Sequence, residues 1–263
     1  MKTIIIIHNL NSRGKNINED YVRELLNKKG MKFHYFQTKR ISDVDEIIKK
    51  YNNPSEFQYC SIGGDGSLNA LVNSLMKNNI TMPEVSCLPG GSGSDFIRTF
   101  ALPQNIEEAV EHLIFDNFYE VDVGLIKNKT DVKYFINVLN IGFLASTVEV
   151  SEKFPNLFRA FRYPLSFWIK IITARAKEMT ISNDKYEFKG MAFNICVCNA
   201  QYFGGGWNIS PKSSLQDGLF NIQVFAVTKL KAMQIFFLAK KGFHLKESSV
   251  KLKRLSQLTV NSK

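Results

Sequence analysis

The chain has 263 residues, 44% of them hydrophobic and 22% charged, which excludes a disordered chain and leaves room for one large domain or two. No apolar run approaches the length of a membrane-spanning helix, and a four-isoleucine run with one lysine in MKTIIIIHNL is too short for a secretory leader. The net charge of +10 fits nucleic acid, an anionic membrane surface or polyphosphate substrates. No zinc finger, helix-turn-helix or RNA-binding signature accompanies it, so no nucleic-acid partner is expected.

In chain order, the isoleucines at 3–8 read as a buried strand, because a β-branched run of that length suits a parallel sheet covered on both faces. A helix near 18–29 follows, with Val22, Leu25 and Leu26 apolar. KFHYFQT (32–38) is the second strand and VDEIIKKYN (44–52) the second helix. QYCSIG runs into the glycines of SIGGDGSLNALVNSLM (61–76), where Leu68, Leu71, Val72 and Leu75 repeat at helical spacing. VSCLPGGSGSDFIRTF repeats the plan of strand, glycine loop and short helix, and 106–115 is a further helix. Repeated βα units imply a parallel sheet with helices on both faces.

Beyond about residue 117 the pattern changes. YEVDVGLIK, KYFINVLNIG, EFKGMAFNICVCNA, FNIQVFAV and RLSQLTVN read as strands of an antiparallel β domain with loops or short helices between them, interrupted by one clear helix near 156–177. Cys196 and Cys198 alternate within one of these strands. With Cys60 and Cys87 they lack metal-ligand spacing and are expected to be reduced packing thiols, which suits the cytoplasm.

GGDGS (63–67) and PGGSGSD (89–95) each stand between a strand and a helix, where open α/β sheets bind ligands. Converging backbone N–H groups bind phosphate there, and glycine lets the backbone come close. Neither loop is a Walker A sequence or a full G-x-G-x-x-G, and either alone reads equally well as a glycine-rich turn. Asp65 beside a triphosphate implies Mg²⁺ between them or a proton-handling role. The other reading is a loop-capping aspartate. Arg98 can reach a phosphate or face solvent.

GGDGSLNALVNSL and LPGGSGSDFIRTFALP, followed by FINVLNIGFLASTVEV and YFGGGWNISPKSSLQDGLFNIQVF, resemble in order the motifs of the diacylglycerol kinase catalytic-domain family, which includes bacterial lipid kinases and sphingosine kinases. The resemblance implies a Rossmann-like α/β nucleotide domain (1–120) and an antiparallel β-sandwich (121–263), with the active site between them. It implies ATP and Mg²⁺ as cofactors and a lipid hydroxyl, diacylglycerol-like, as acceptor. Carried over residue by residue, Asn9, Asn11 and Ser12 lie in a first phosphate-facing loop, and Thr38 matches a nucleotide-contacting threonine. Gly64, Asp65, Gly66, Ser67, Leu68 and Asn69 form the nucleotide loop, and Ser92 stands for the threonine of the second. Ser214, Asp217 and Leu219 match the positions that hold a structural magnesium in bacterial members, through the aspartate and two nearby carbonyls. Asp65 is the expected catalytic residue, and as an exposed loop carboxylate it is expected to add little to the core.

The sequence departs from the family pattern at Leu10, Arg13, Ala70, Ser94 and Leu144, and it has no counterpart of the family's D-G-E segment, which carries the general base; after Asp217 the one acidic residue is Glu247. The 263-residue chain is therefore expected to be a weak kinase or an inactive one, with Asp65 or Asp95 as substitute base. An unpaired sheet edge inviting a partner chain, such as a homodimer, is expected as well. The alternatives are a nucleotide- or lipid-binding protein without turnover, or a kinase of a sphingoid base, phosphatidylglycerol or a soluble alcohol. FPNLFRAFRYPLSFWIKIITARAK (154–177) mixes aromatic and basic residues, including Arg159, Arg162 and Lys170, at a density suited to peripheral contact with an anionic membrane. It reads equally well as a helix packed on the sheet, and Pro164 would break or kink it.

Overall fold

A computed structural model describes residues 2–12, 17–91, 94–114, 117–152 and 162–262. The chain divides into two compact units, residues 1–136 with 202–206, and residues 137–201 with 207–263.

The first unit is built on four parallel strands, β1 (Thr3–Asn9), β2 (Phe33–Thr38), β3 (Phe57–Gly63) and β4 (Val85–Pro89), in the order β2-β1-β3-β4. The isoleucine run occupies β1, and its alternation splits it between two cores. Ile4 and Ile6 pack with Val22 and Leu26 of α1 (Glu19–Lys28) and Val110 of α5 (Ile106–His112). Ile5 and Ile7 pack with Val44 and Ile48 of α2 (Ile41–Lys50) and Leu71 and Leu75 of α3 (Asp65–Lys77). Helices on both faces are what a strand apolar on both faces requires.

Local chemistry starts three of these helices, α1, α2 and α5. Asn18 accepts the Asp20 N–H at 2.8 Å ahead of α1, and Asn105 accepts that of Glu108 at 2.8 Å ahead of α5. Asp43 turns back to accept the Lys39 and Arg40 N–H groups, each at 3.0 Å, which starts α2 three residues before the expected position at 44. After α4 (Asp95–Thr99) and α5, a hairpin of β5 (Gly124–Lys127) and β6 (Val132–Phe135) stays with this unit. Asn73 of α3 holds it, donating to the Tyr134 carbonyl and accepting the Tyr134 N–H, both at 2.9 Å. The division consequently falls at Ile136, beyond the 120 read from composition.

The second unit contains two antiparallel sheets. One has β7 (Val138–Gly142), β10 (Asn194–Cys198), β13 (Phe220–Phe225) and β14 (Val250–Leu255), in the order β14-β13-β10-β7. The other has β15 (Thr259–Ser262), β8 (Lys177–Asn183) and β9 (Tyr186–Ala192), in the order β15-β8-β9. Two apparent single strands are each split between these sheets: EFKGMAFNICVCNA into β9 and β10, and RLSQLTVN into β14 and β15. Helices α6 (Phe143–Glu152) and α8 (Lys229–Ala239) lie between strands, where loops or short helices were expected, and α7 (Arg162–Thr173) ends before the expected 177. Residues 153–161 of that stretch, Arg159 among them, lie outside the described residues. Cys196 and Cys198 are buried and all four cysteines are free, as packing thiols should be. Among the described residues no helix is long and apolar enough to cross a membrane.

Candidate functional site

In the order β2-β1-β3-β4 the chain reverses direction across the sheet between β1 and β3, and the loops leaving their carboxyl ends face one crevice. Hydrogen bonds stitch the residues expected there together. Asn9 Nδ2 donates to Ser67 Oγ at 2.9 Å across the switch point, and Asn9 Oδ1 accepts the Asn11 N–H at 2.9 Å. Asn11 Nδ2 reaches the Lys39 carbonyl at 2.8 Å, joining the loop after β2. Ser12 Oγ donates to the Gly90 carbonyl at 2.8 Å, joining the loop after β4. Thr38 is buried, with its hydroxyl 3.3 Å from the His8 carbonyl, so it supports the crevice floor.

The glycines have a packing reason as well as a ligand reason. A Cβ on Gly91 would stand 2.1 Å from Gly64 Cα, and one on Gly90 would stand 3.0 Å from Gly63 N. The two loops therefore touch backbone to backbone, and the Gly90 N–H donates to the Gly63 carbonyl at 2.9 Å. Gly66 is different: a Cβ there would meet nothing within 4 Å. Its surface is open.

Asp65 is half-buried, and its carboxylate accepts the N–H groups of Asp95 at 2.9 Å and Phe96 at 2.8 Å. It thereby caps α4 and fastens the second glycine loop to the first, which corrects the expectation of a loosely held loop carboxylate. Asp95 repeats the device, accepting the Gly205 N–H at 2.9 Å and the Gly206 N–H at 2.6 Å. Burial, the largest influence on Asp95, pushes its carboxyl above the usual range against the opposing pull of these two N–H groups.

Helix α3 has Gly64 at its N-cap, and a glycine supplies no side-chain cap. A 13-residue helix thus points an uncapped N-terminus into the crevice beside open Gly66, an arrangement that favours an anion. Of the other expected nucleotide residues, Leu68 is buried as core, and the Asn69 carbonyl accepts from Asn73. Ser92 lies outside the described residues.

Residues 3–126 match the family described as diacylglycerol kinase catalytic domain, and residues 137–263 match the YegS C-terminal NAD kinase beta sandwich-like domain. The chain thus carries a diacylglycerol kinase catalytic domain followed by a YegS-type C-terminal domain. Its class is therefore that of a kinase, a phosphotransferase. A protein named diacylglycerol kinase from Staphylococcus saprophyticus is 26% identical over 242 residues, covering 90% of this chain and 77% of the relative. "Probable lipid kinase YegS" of Salmonella arizonae is 25% identical over 222 residues, covering 82% of this chain and 73% of the relative. A crystal structure of a diacylglycerol kinase from Bacillus anthracis str. Sterne shares the fold with a TM-score of 0.75 at 21% identity, covering 100% of this chain and 86% of that one.

The magnesium ligands that the family resemblance implies fare differently from the loops. Ser214, Asp217 and Leu219 lie together before β13, but both Asp217 carboxylate oxygens already have partners. Oδ1 accepts the Leu219 N–H at 3.0 Å, and Oδ2 accepts the Arg254 guanidinium at 2.5 Å. Ser214 Oγ accepts the Gln216 N–H at 3.3 Å. Magnesium demands near-octahedral oxygen ligation, and a guanidinium on its one carboxylate ligand opposes it. No cluster of three or more His, Cys, Asp or Glu able to hold a metal occurs among the described residues. The set does not fit a bound magnesium.

Neither Asn73 nor the Gly204–Gly206 turn was singled out from sequence. Asn73 sits inside the GGDGSLNALVNSL motif, where an amide on an otherwise apolar helix face is a readable signal. The turn lies inside the YFGGGW motif, and its role in holding Asp95 shows only in the fold.

Proposed function

We propose that this kinase transfers the γ-phosphoryl group of ATP, supplied as its Mg²⁺ complex, to a lipid hydroxyl of the diacylglycerol type. The observation that carries the reading is the uncapped α3 N-terminus at the switch point, framed by two glycine loops locked to each other. Phosphoryl transfer is catalysed mostly by positioning and charge stabilisation, and converging N–H groups beside Gly66 supply both to phosphate oxygens. The matched catalytic domain and relatives named for lipid kinases favour a lipid acceptor over a soluble one. Incubation with ATP and a total lipid extract, followed by mass analysis, should reveal one lipid class gaining a phosphoryl group. Phosphorylation of a soluble alcohol alone would overturn the acceptor assignment.

A lipid acceptor requires access to a bilayer, and α7 and α8 support an anionic membrane as partner. Leu165, Ile169 and Ile172 fall at i, i+4 and i+7 of α7 and are exposed, while Phe167 and Ile171 are buried. Leu230 and Phe237, exposed by 79% and 67%, form a matching stripe on α8. The helices touch through side chains, with the Phe167 and Phe236 ring centroids 3.8 Å apart at an interplanar angle of 30° and Lys229 Nζ donating to the Ile172 carbonyl at 2.6 Å. Neither helix contains an acidic residue, while Lys170, Arg175, Lys229, Lys240 and Lys241 lie on or beside them. Apart from Glu247, paired with Lys231 of α8 at 2.6 Å, the charges named here beside the apolar stripes are cations, which suits a bilayer carrying negative charge, each free cation adding about 1 kcal/mol. Helix α7 packs Phe167 and Ile171 inward and exposes its other face, which leaves that face open for a bilayer. Ile172→Asp with Phe237→Asp should cut co-sedimentation with phosphatidylglycerol vesicles at least ~10-fold, and salt should weaken the wild-type binding. Unchanged binding would remove α7 and α8 as the membrane surface.

A further inference from the structure

At Asp217 a guanidinium stands where the family resemblance implies magnesium. Arg254 stands on β14 directly opposite Asn221 of β13, four residues after Asp217, in register with the pair Phe220↔Leu255. That register brings the guanidinium over the turn that leads into β13, and Nη2 meets Asp217 Oδ2 at 2.5 Å. The second oxygen closes the turn on the Leu219 N–H at 3.0 Å. Ordered polar contacts continue beside it: Asn221 Nδ2 donates to Ser213 Oγ at 3.1 Å, and Ser213 Oγ to Ser210 Oγ at 2.8 Å. The loop is thus held by a carboxylate whose two oxygens serve one internal cation and one backbone donor.

We propose that Arg254 takes the place of a divalent cation at Asp217, so that the loop from Ser214 to Leu219 is held without metal. The argument is one of charge and ligand count. A carboxylate shared by a backbone N–H and a guanidinium has little left to offer a small cation that needs six close oxygens. A fixed positive charge at the same oxygen repels it as well. A guanidinium is always charged and supplies a directional donor, so it satisfies the carboxylate at any magnesium concentration. Divalent metal is then needed only with the nucleotide. Activity at fixed ATP should follow the fraction of ATP complexed with Mg²⁺ and show no second rise once that fraction saturates.

The test uses the full chain without nucleotide, melted in EDTA and in millimolar MgCl₂. The wild type should melt at one temperature in both. Arg254→Ala should melt several degrees lower in EDTA and recover part of that loss with MgCl₂, because the vacated carboxylate oxygen can take the ion. Should Arg254→Ala fail to fold, Arg254→Lys keeps the charge without the planar fork and should show a smaller loss in the same sense. Calorimetric titration of MgCl₂ into the nucleotide-free wild type should give no binding isotherm. Magnesium stabilisation of the wild type that disappears in Asp217→Asn would overturn the proposal. An Arg254→Ala protein as stable in EDTA as the wild type would overturn it too, since the guanidinium would then not be holding the loop.

Discussion

Asp65→Ala is expected to lower the thermal midpoint of the first unit by roughly 5–15 °C and to reduce phosphoryl transfer at least ~10²-fold. The carboxylate accepts two backbone N–H groups, those of Asp95 and Phe96, at 2.9 and 2.8 Å. Hydrogen bonds to a charged group contribute about 1.5–3 kcal/mol each, and partial exposure of Asp65 reduces their sum to about 2–4 kcal/mol. Removing them also frees the N-terminus of α4 and so unfastens the second glycine loop from the first. Asp65→Asn separates scaffold from chemistry. Its amide oxygen can still accept an N–H, so part of the stability should return. Transfer should stay low if the carboxylate also takes the acceptor proton, because a positioned base typically contributes 10²–10⁴-fold. Full activity in the alanine variant would remove Asp65 from the mechanism, and an unchanged melting temperature would refute its structural part.

The first unit was legible because its signals are local. An isoleucine run buried on both faces, amphipathic helices, and glycine loops between strand and helix all declare themselves within a few residues. The second unit was read less well, since its elements depend on partners distant in sequence. Phe193 is a single residue between strands of two different sheets, and nothing local marks that change. Helix α8 was missed because KLKAMQIFFLA has apolar residues around most of its circumference and shows little helical period. At the candidate site, sequence named Asn9, Asn11, Ser12, Thr38 and the GGDGS loop, and the fold brings them to one crevice. Two facts could not be read from it: which N–H groups Asp65 accepts, and that Arg254 reaches Asp217. Both depend on geometry, the second on a strand register set some 37 residues away.

Gly91→Ala should be nearly as damaging, and for a steric reason alone. The new methyl would lie 2.1 Å from Gly64 Cα and 2.6 Å from Gly64 N, far inside contact distance and against backbone that has no rotamer to change. The loops must separate, which is expected to cost about 1–3 kcal/mol by overpacking and to weaken ATP binding at least ~10-fold by spreading the N–H groups that face it. Gly66→Ala is the internal control. Nothing lies within 4 Å of its Cβ position, and it sits in the first turn of α3. Stability should therefore hold or rise by up to about 1 kcal/mol. ATP affinity should fall all the same, because the methyl stands where phosphate approaches. Isothermal titration with ATP and Mg²⁺, paired with melting curves of both variants, reads the two effects separately. A Gly91→Ala protein that binds ATP as the wild type does would show that contact between the loops is not needed for the nucleotide.

The most direct measurement is the fate of the ATP phosphates. The wild-type chain is incubated with Mg²⁺ and vesicles containing diacylglycerol and phosphatidylglycerol, once with ATP labelled at the γ-phosphate and once with ATP labelled at the α-phosphate. Label in the organic phase after extraction is then counted. The account predicts that γ-label enters the lipid fraction, that α-label stays in water, and that Asp65→Ala suppresses the transfer. The contradictory result is a chain that binds ATP and vesicles yet moves no γ-label into lipid, which would make it a nucleotide- and lipid-binding protein rather than a lipid kinase.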